Sequence, residues 1–188
     1  MPENLDDRAD GTTPGPPEEI DPFPDPERLE DLRRRITNPW SLRAFMLFKL
    51  PLALFAGLRV VDLDPEACRT TVPYGWRTTN PFRSTYFAAQ SMAAELSTGA
   101  LALLAVRSAP ASVAMLITGL EASFGKKATD TTTFTCEDGP EIFDAVRRTL
   151  ADGEPATTTV ETVGRMPDGT EVARFRFTWS FKRRRTGS

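Results

Sequence analysis

Residues 84–104 read STYFAAQSMAAELSTGALALL, and one charged side chain, Glu95, stands in the middle of them. The run has no proline and consists mostly of small and apolar residues, so it reads as a long helix buried inside the fold. An ionised carboxylate in such a helix needs partners or a use. At 3.6 residues per turn, Ser84, Ala88, Ser91, Met92, Glu95, Thr98, Gly99 and Ala102 fall on one stripe. Most of them are small, which lets a sheet, a second subunit or a ligand come close. Ser91 and Thr98 lie within a turn of Glu95, where their hydroxyls can reach its carboxylate. Ser84 or Thr85 is the expected N-cap. Gly99, inside the helix, marks close packing rather than an end.

Beyond this helix the pattern changes to β. In EVARFRFTWSFK, 171–182, Ala173, Phe175, Phe177, Trp179 and Phe181 share one face, and Arg174, Arg176, Thr178, Ser180 and Lys182 share the other. A period of two predicts a strand with one buried and one wet face, as in antiparallel sheets. SVAMLITGLEASFGKKATDTTTFTCED, 112–138, is rich in β-branched residues and reads as a long strand pair bent at Gly125. GPEIFDAVRRTLADG, 139–153, reads as a short amphipathic helix, with Pro140 in its first turn and Gly153 at its end. TTTVETV, 157–163, is a further strand, followed by a turn at Pro167-Asp168-Gly169. Ahead of the central helix, 58–74 reads as two strands around a turn at Asp64–Glu66, and 41–56 as helix split at Pro51. The whole is an α+β fold, a sheet wrapped around a central helix.

A length of 188 residues suits one domain with a real core. The net charge of -3 conceals a division. Residues 1–31 hold eleven acids, two arginines and seven of the 16 prolines; the rest holds fifteen acids against 21 Lys and Arg. The composition predicts a disordered acidic tail over 1–37, an ordered body over 38–183 and a basic end over 184–188. Within the tail, LEDLRRR, 29–35, is able to begin a short helix.

The chain contains no histidine. That excludes Ser-His-Asp and Cys-His catalysis and most zinc hydrolase sites, and no metal site is expected. Cys68 and Cys136 form no Cys-x-x-Cys pair and read as reduced thiols of a cytoplasmic protein. The acidic start does not resemble a secretory signal. SLRAFMLFKLPLALFAGL, 41–58, is interrupted by Arg43, Lys49 and Pro51 and falls short of the roughly 20 residues a membrane span needs. No membrane span is expected; interfacial attachment of this segment is the alternative reading. No basic stripe interleaves with aromatics, which argues against nucleic acid as a partner. Lys126, Lys127 and Arg183 to Arg185 are basic groups suited to phosphates.

TNPFRSTYFAAQSMAAELSTGA, 79–100, resembles the helix start of the phenylacetate-type and 4-hydroxybenzoyl-CoA-type acyl-CoA thioesterases. There an Asn precedes a short loop, a His-Gly-Gly turn and a catalytic acid nine residues beyond the His. Asn80 matches the family's Asn, Tyr86-Phe87-Ala88 stands where His-Gly-Gly does, and Glu95 falls on the acid. VPYGWRTTNPFRSTYF, SFGKKATDTTTFTCEDG and VARFRFTWSFK are similar to an uncharacterised, domain-of-unknown-function branch of the hotdog superfamily, a likeness spanning residues 39–182. The resemblance implies a hotdog fold, a homodimer with its pocket between subunits, and an acyl-CoA or acyl-carrier thioester as substrate. Coenzyme A would then be part of the substrate, with no separate cofactor. It also implies Glu95 as the base or nucleophile, the backbone N–H groups of Tyr86 and Phe87 as the oxyanion site, and Asn80, Ser91 and Thr98 beside the substrate. Two other functions fit the same residues. One is a non-catalytic acyl or lipid binder. The other is a dimerisation module in which Glu95 is paired with a cation, Arg77, Arg83 and Arg107 being the candidates by type.

Overall fold

The computed structural model describes residues 23–184. In chain order the elements are helices α1 (Pro26–Thr37), α2 (Pro39–Lys49) and α3 (Pro51–Ala56), strands β1 (Arg59–Leu63) and β2 (Cys68–Val72), helix α4 (Phe87–Arg107), strands β3 (Val113–Phe124) and β4 (Thr132–Cys136), helix α5 (Gly139–Asp152), and strands β5 (Ala156–Arg165) and β6 (Glu171–Arg183). The six strands make one curved antiparallel sheet in the order β1-β2-β4-β5-β6-β3. The sheet wraps around α4, as the sequence predicts.

The alternation along β6 is realised residue by residue. Ala173, Phe175, Phe177, Trp179 and Phe181 are buried, while Arg174, Arg176, Thr178, Ser180 and Lys182 are not. Each large apolar side chain so buried contributes on the order of 1.5–3 kcal/mol. Helix α4 is bolted to this face through three strands. The Thr70 hydroxyl on β2 donates to the Ala93 carbonyl at 2.7 Å, Ser97 donates to Thr162 on β5 at 2.8 Å, and the Trp179 indole on β6 donates to Thr98 at 3.2 Å. By length and composition α4 could cross a membrane, but 61% of that window is buried inside the sheet, which accounts for its apolar character.

Two expectations change. The tail does not run to residue 37: its part up to residue 22 lies outside the described residues, and Pro26–Thr37 is helix. Asp25 caps it by accepting from the N–H groups of Glu27 and Arg28, and Pro26 suits the first turn. Glu30 pairs with Arg33 and Arg34, and Asp31 with Arg35, while Leu29, Leu32 and Ile36 rest on the core. Second, β3 and β4 are not partners. After Gly125 the chain crosses the fold, so that β3 lies on β6 at the sheet edge and β4 lies between β2 and β5. The cysteines, read as reduced thiols, are both buried and unbonded, although Cys68 and Cys136 stand opposite each other in the β2–β4 register. Arg183 stands at one end of the β3–β6 ladder and Lys127 beyond the other, on the order of 35 Å apart. Arg185 lies outside the described residues.

Candidate active site

Helix α4 starts without a side-chain cap, at Tyr86. Ser84 and Thr85, the expected caps, are occupied elsewhere. Both hydroxyls donate to the Ala128 carbonyl, at 3.4 and 3.2 Å, and Ser84 Oγ also accepts from the Ala128 N–H at 3.1 Å. They tie the helix start to the crossing loop and leave the helix end open. The Tyr86 N–H donates to the Thr78 carbonyl at 2.6 Å, so it does not serve as the expected oxyanion donor. Ala89 and Gln90 both donate to the Tyr86 carbonyl. That leaves the N–H groups of Phe87 and Ala88 without an acceptor among the described residues, at the positive end of the helix dipole. The open donors are therefore one residue further along than the resemblance implies.

Glu95 stands two turns down the helix. Its neighbours along one stripe of the helix are Ala88, Met92, Leu96, Gly99, Leu103 and Val106, all half-buried on a helix otherwise buried along most of its length. The stripe expected from the sequence is shifted, because Thr98 and Ala102 face the core and are fully buried. The carboxylate lies over Gly99: a Cβ built there would stand 2.8 Å from Glu95 Oε1 and 3.6 Å from Trp179 Cζ2. The missing side chain at Gly99 is what gives the carboxylate its seat beside the indole. No cation among the described residues pairs with it, Arg77, Arg83 and Arg107 included. Desolvation by burial pushes its pKa above the ordinary 4.5.

The hydroxyls expected to support Glu95 do not reach its carboxylate. Ser91 donates to the Phe87 carbonyl at 2.9 Å, and Thr98 donates to the Glu95 backbone carbonyl at 3.1 Å while accepting from Trp179. Serine and threonine inside a helix turn back on the preceding turn, and here both do. Asn80 is a loop organiser. Its Oδ1 accepts from the N–H groups of Phe82 and Ser84, which fixes the turn that holds Arg83 at a left-handed φ of 57°. Gln90 was not singled out from the sequence. It is buried, its side-chain N–H donates to the Thr85 carbonyl at 3.0 Å, and its Oε1 has no partner among the described residues. It pins the helix start from the core side.

A β-bulge re-aims the far half of β3. Between Ile117 and Gly119 the β3–β6 register shifts by one residue. Past the shift Leu120, Ala122 and Phe124 stand opposite Phe177, Phe175 and Ala173, on the inner face of the sheet. Yet all three are exposed, because α4 covers β6 and not the far half of β3. β3 is also an edge strand of 12 residues, with no partner on its outer side among the described residues. Two cavities, of about 480 and 430 Å³, lie elsewhere: one between the end of α4 and the start of β3, lined by Arg28, Arg107 and Arg184, the other on the outer surface of β2, β4 and β5. Neither contains Glu95.

A curved antiparallel sheet wrapped around a long helix is the hotdog fold. Within it, the chain belongs to the family described as a domain of unknown function (DUF4442), whose model matches residues 38–181. Among solved structures it is similar to a protein of unknown function from Pseudomonas aeruginosa described as a probable thioesterase, at 19% identity and a TM-score of 0.64, over 80% of this chain and 99% of that one. A protein of unknown function from Chlorobaculum tepidum superimposes at a TM-score of 0.66 and 14% identity, over 85% of this chain and 97% of that one. A thioesterase from Haemophilus influenzae gives 0.57 and 12%, over 81% and 95%. At these identities the likeness establishes the fold alone. No curated protein matches the sequence.

Proposed function

We propose that the chain hydrolyses acyl-thioesters, carried by coenzyme A or a carrier protein, with Glu95 as the reacting carboxylate. The observation that carries this reading is Glu95 itself: an acid with no cation beside it among the described residues, seated by a glycine against Trp179, on a half-buried stripe of a core helix. Glu95 takes a proton from a water as that water attacks the thioester carbonyl, and the tetrahedral intermediate expels the thiolate, which recovers that proton. Or Glu95 attacks the carbonyl itself, the thiolate leaves, and water then hydrolyses the acyl-glutamyl anhydride to the free acid and the carboxylate. The oxyanion is held by N–H groups at the start of α4, those of Phe87 and Ala88.

Geometry sets a condition on this chemistry. Phe87 and Glu95 are eight residues apart, about 12 Å along one helix. Both groups must approach the same carbonyl to within about 3 Å. The two halves of a working site therefore come from two copies of the chain, the Glu95 of one beside the helix start of the other. The open β3 edge and the uncovered inner residues Leu120, Ala122 and Phe124 offer the surface for such a homodimer and for the acyl group.

Turnover of short, aromatic and long-chain acyl-CoAs, followed by release of the free thiol, tests the reading. Hydrolysis that falls at least a thousandfold in Glu95→Gln is expected, since the variant keeps shape and loses the reacting group. A folded wild-type chain inert toward the whole panel would overturn hydrolysis. One observation favours a second reading, a non-catalytic acyl binder: the Tyr86 N–H is already engaged by Thr78. An acyl ligand co-purifying with an inert chain would support it.

A further inference from the structure

The helical pair α2 and α3 is apolar on the wrong side. Of the residues of α2, Leu42 and Met46 alone are buried. At 3.6 residues per turn, Trp40, Leu47 and Phe48 fall on the opposite side, facing away from the core. Trp40 is 77% exposed and Phe48 80%. Leu52 and Phe55 on α3 continue the surface at 64% and 51%, and Trp76, edge-on to Phe55 with ring centroids 6.0 Å apart, extends it at 80%. A surface this large and aromatic marks a contact site.

Charge selects the kind of contact. Residues 32–61 contain six Lys and Arg and no acid. Two cations lie on the aromatic rings themselves: Arg43 is 5.6 Å from the centre of Trp40, and Arg77 is 5.9 Å from that of Phe55. Lys49 ends α2 between Phe48 and Leu50. None of these three pairs with an acid among the described residues. A twofold contact through this face would set cations against their own copies. The segment 1–22, with seven acids and one arginine, matches the charge but has too few apolar residues to cover the aromatic rings. Exposed aromatics interleaved with unpaired cations and no acids fit the boundary of an anionic bilayer, where rings sit at headgroup level and cations meet lipid phosphates. We infer that the α2–α3 face docks the chain onto an anionic membrane surface, lying on it rather than spanning it. This inference stands apart from the catalytic reading, because it concerns binding and needs no turnover.

Sedimentation of the full chain with vesicles tests it, using phosphatidylcholine alone and phosphatidylcholine mixed with equal parts phosphatidylglycerol. The chain should partition onto the anionic vesicles, less so as salt is raised, with a blue shift in the emission of the exposed Trp40 and Trp76. Phe48→Ser with Leu52→Ser, both outward-facing, should abolish partition without lowering the unfolding midpoint. Arg43→Gln with Lys49→Gln should weaken it about thirtyfold, at about fivefold per cation. No partition onto anionic vesicles would overturn the inference, as would undiminished partition by the Phe48/Leu52 variant. A change of that variant from dimer to monomer, with vesicle binding retained, would assign the face to a subunit contact instead.

Discussion

Replacing Glu95 by glutamine should stabilise the chain at neutral and alkaline pH and leave it unchanged in acid. The carboxylate meets no cation among the described residues, and burial raises its pKa above 4.5. Below 4.5 the folded and unfolded chains both hold the proton, so the acid carries no penalty. As pH rises, the unfolded chain releases its proton first and the folded chain later. Wild-type stability falls over that window and levels off once the folded group has ionised. One proton sets a limiting slope of about 1.4 kcal/mol per pH unit. A body of about 160 residues unfolds with an entropy of roughly 0.34 kcal/mol/K. The midpoint gap between Glu95→Gln and wild type should therefore open by no more than about 4 °C per pH unit. Thermal unfolding of both chains by circular dichroism, from about pH 3 to about pH 9, reads this directly. A Glu95→Gln loss of about 3–5 kcal/mol at neutral pH would mean an orphaned buried cation, and the reasoning would be refuted.

Three other outcomes follow from the same geometry. Phe87→Pro deletes an open N–H at the first helical position, and Tyr86, at φ −63° and ψ 137°, already has the backbone a following proline requires. Turnover should fall by about 10²–10³ with the unfolding midpoint kept, while Phe87→Ala, which retains the N–H, should not show that fall. Gly99→Ala should gain up to about 1 kcal/mol in helix propensity, yet its methyl displaces the Glu95 carboxylate, so turnover should drop at least tenfold while stability holds or rises. Burial pushes both thiols up, Cys136 to about 12, so a disulfide reagent at pH 8 should find no reactive thiol in the folded chain and two in denaturant.

What the sequence disclosed was periodic. The β6 alternation and the α4 composition each follow from one segment burying one face, and both are realised in the fold. The hairpin at Asp64 is equally local, since the Asp64 side chain accepts from the N–H groups of Glu66 and Ala67 within its own turn. What escaped depends on partners distant in the chain. The bulge at Thr118 moves Leu120, Ala122 and Phe124 to the inner face, and VAMLITGLEASF has no alternation that announces it. Ser84 and Thr85 have the chemistry of caps but are claimed by Ala128, 43 or 44 residues away. Helix α1 was legible in its Asp25 cap and its charge pairs, but the prolines and acids around it outweighed them. At the site, Glu95 was visible as a charge out of place. Its seat over Gly99 and Trp179, and the engaged state of the Tyr86 N–H, belong to the folded chain alone.

The proposed active site is shared between two copies of the chain. Glu95→Gln protomers mixed with Phe87→Pro protomers, under conditions that exchange subunits, test it. Half of the resulting dimers would pair the two variants, and each would contain one intact site of two. The mixture should recover about a quarter of wild-type turnover from parents that are each nearly inactive. A mixture no more active than its parents, beside an active wild-type dimer, would contradict the shared site and place both groups on a single chain.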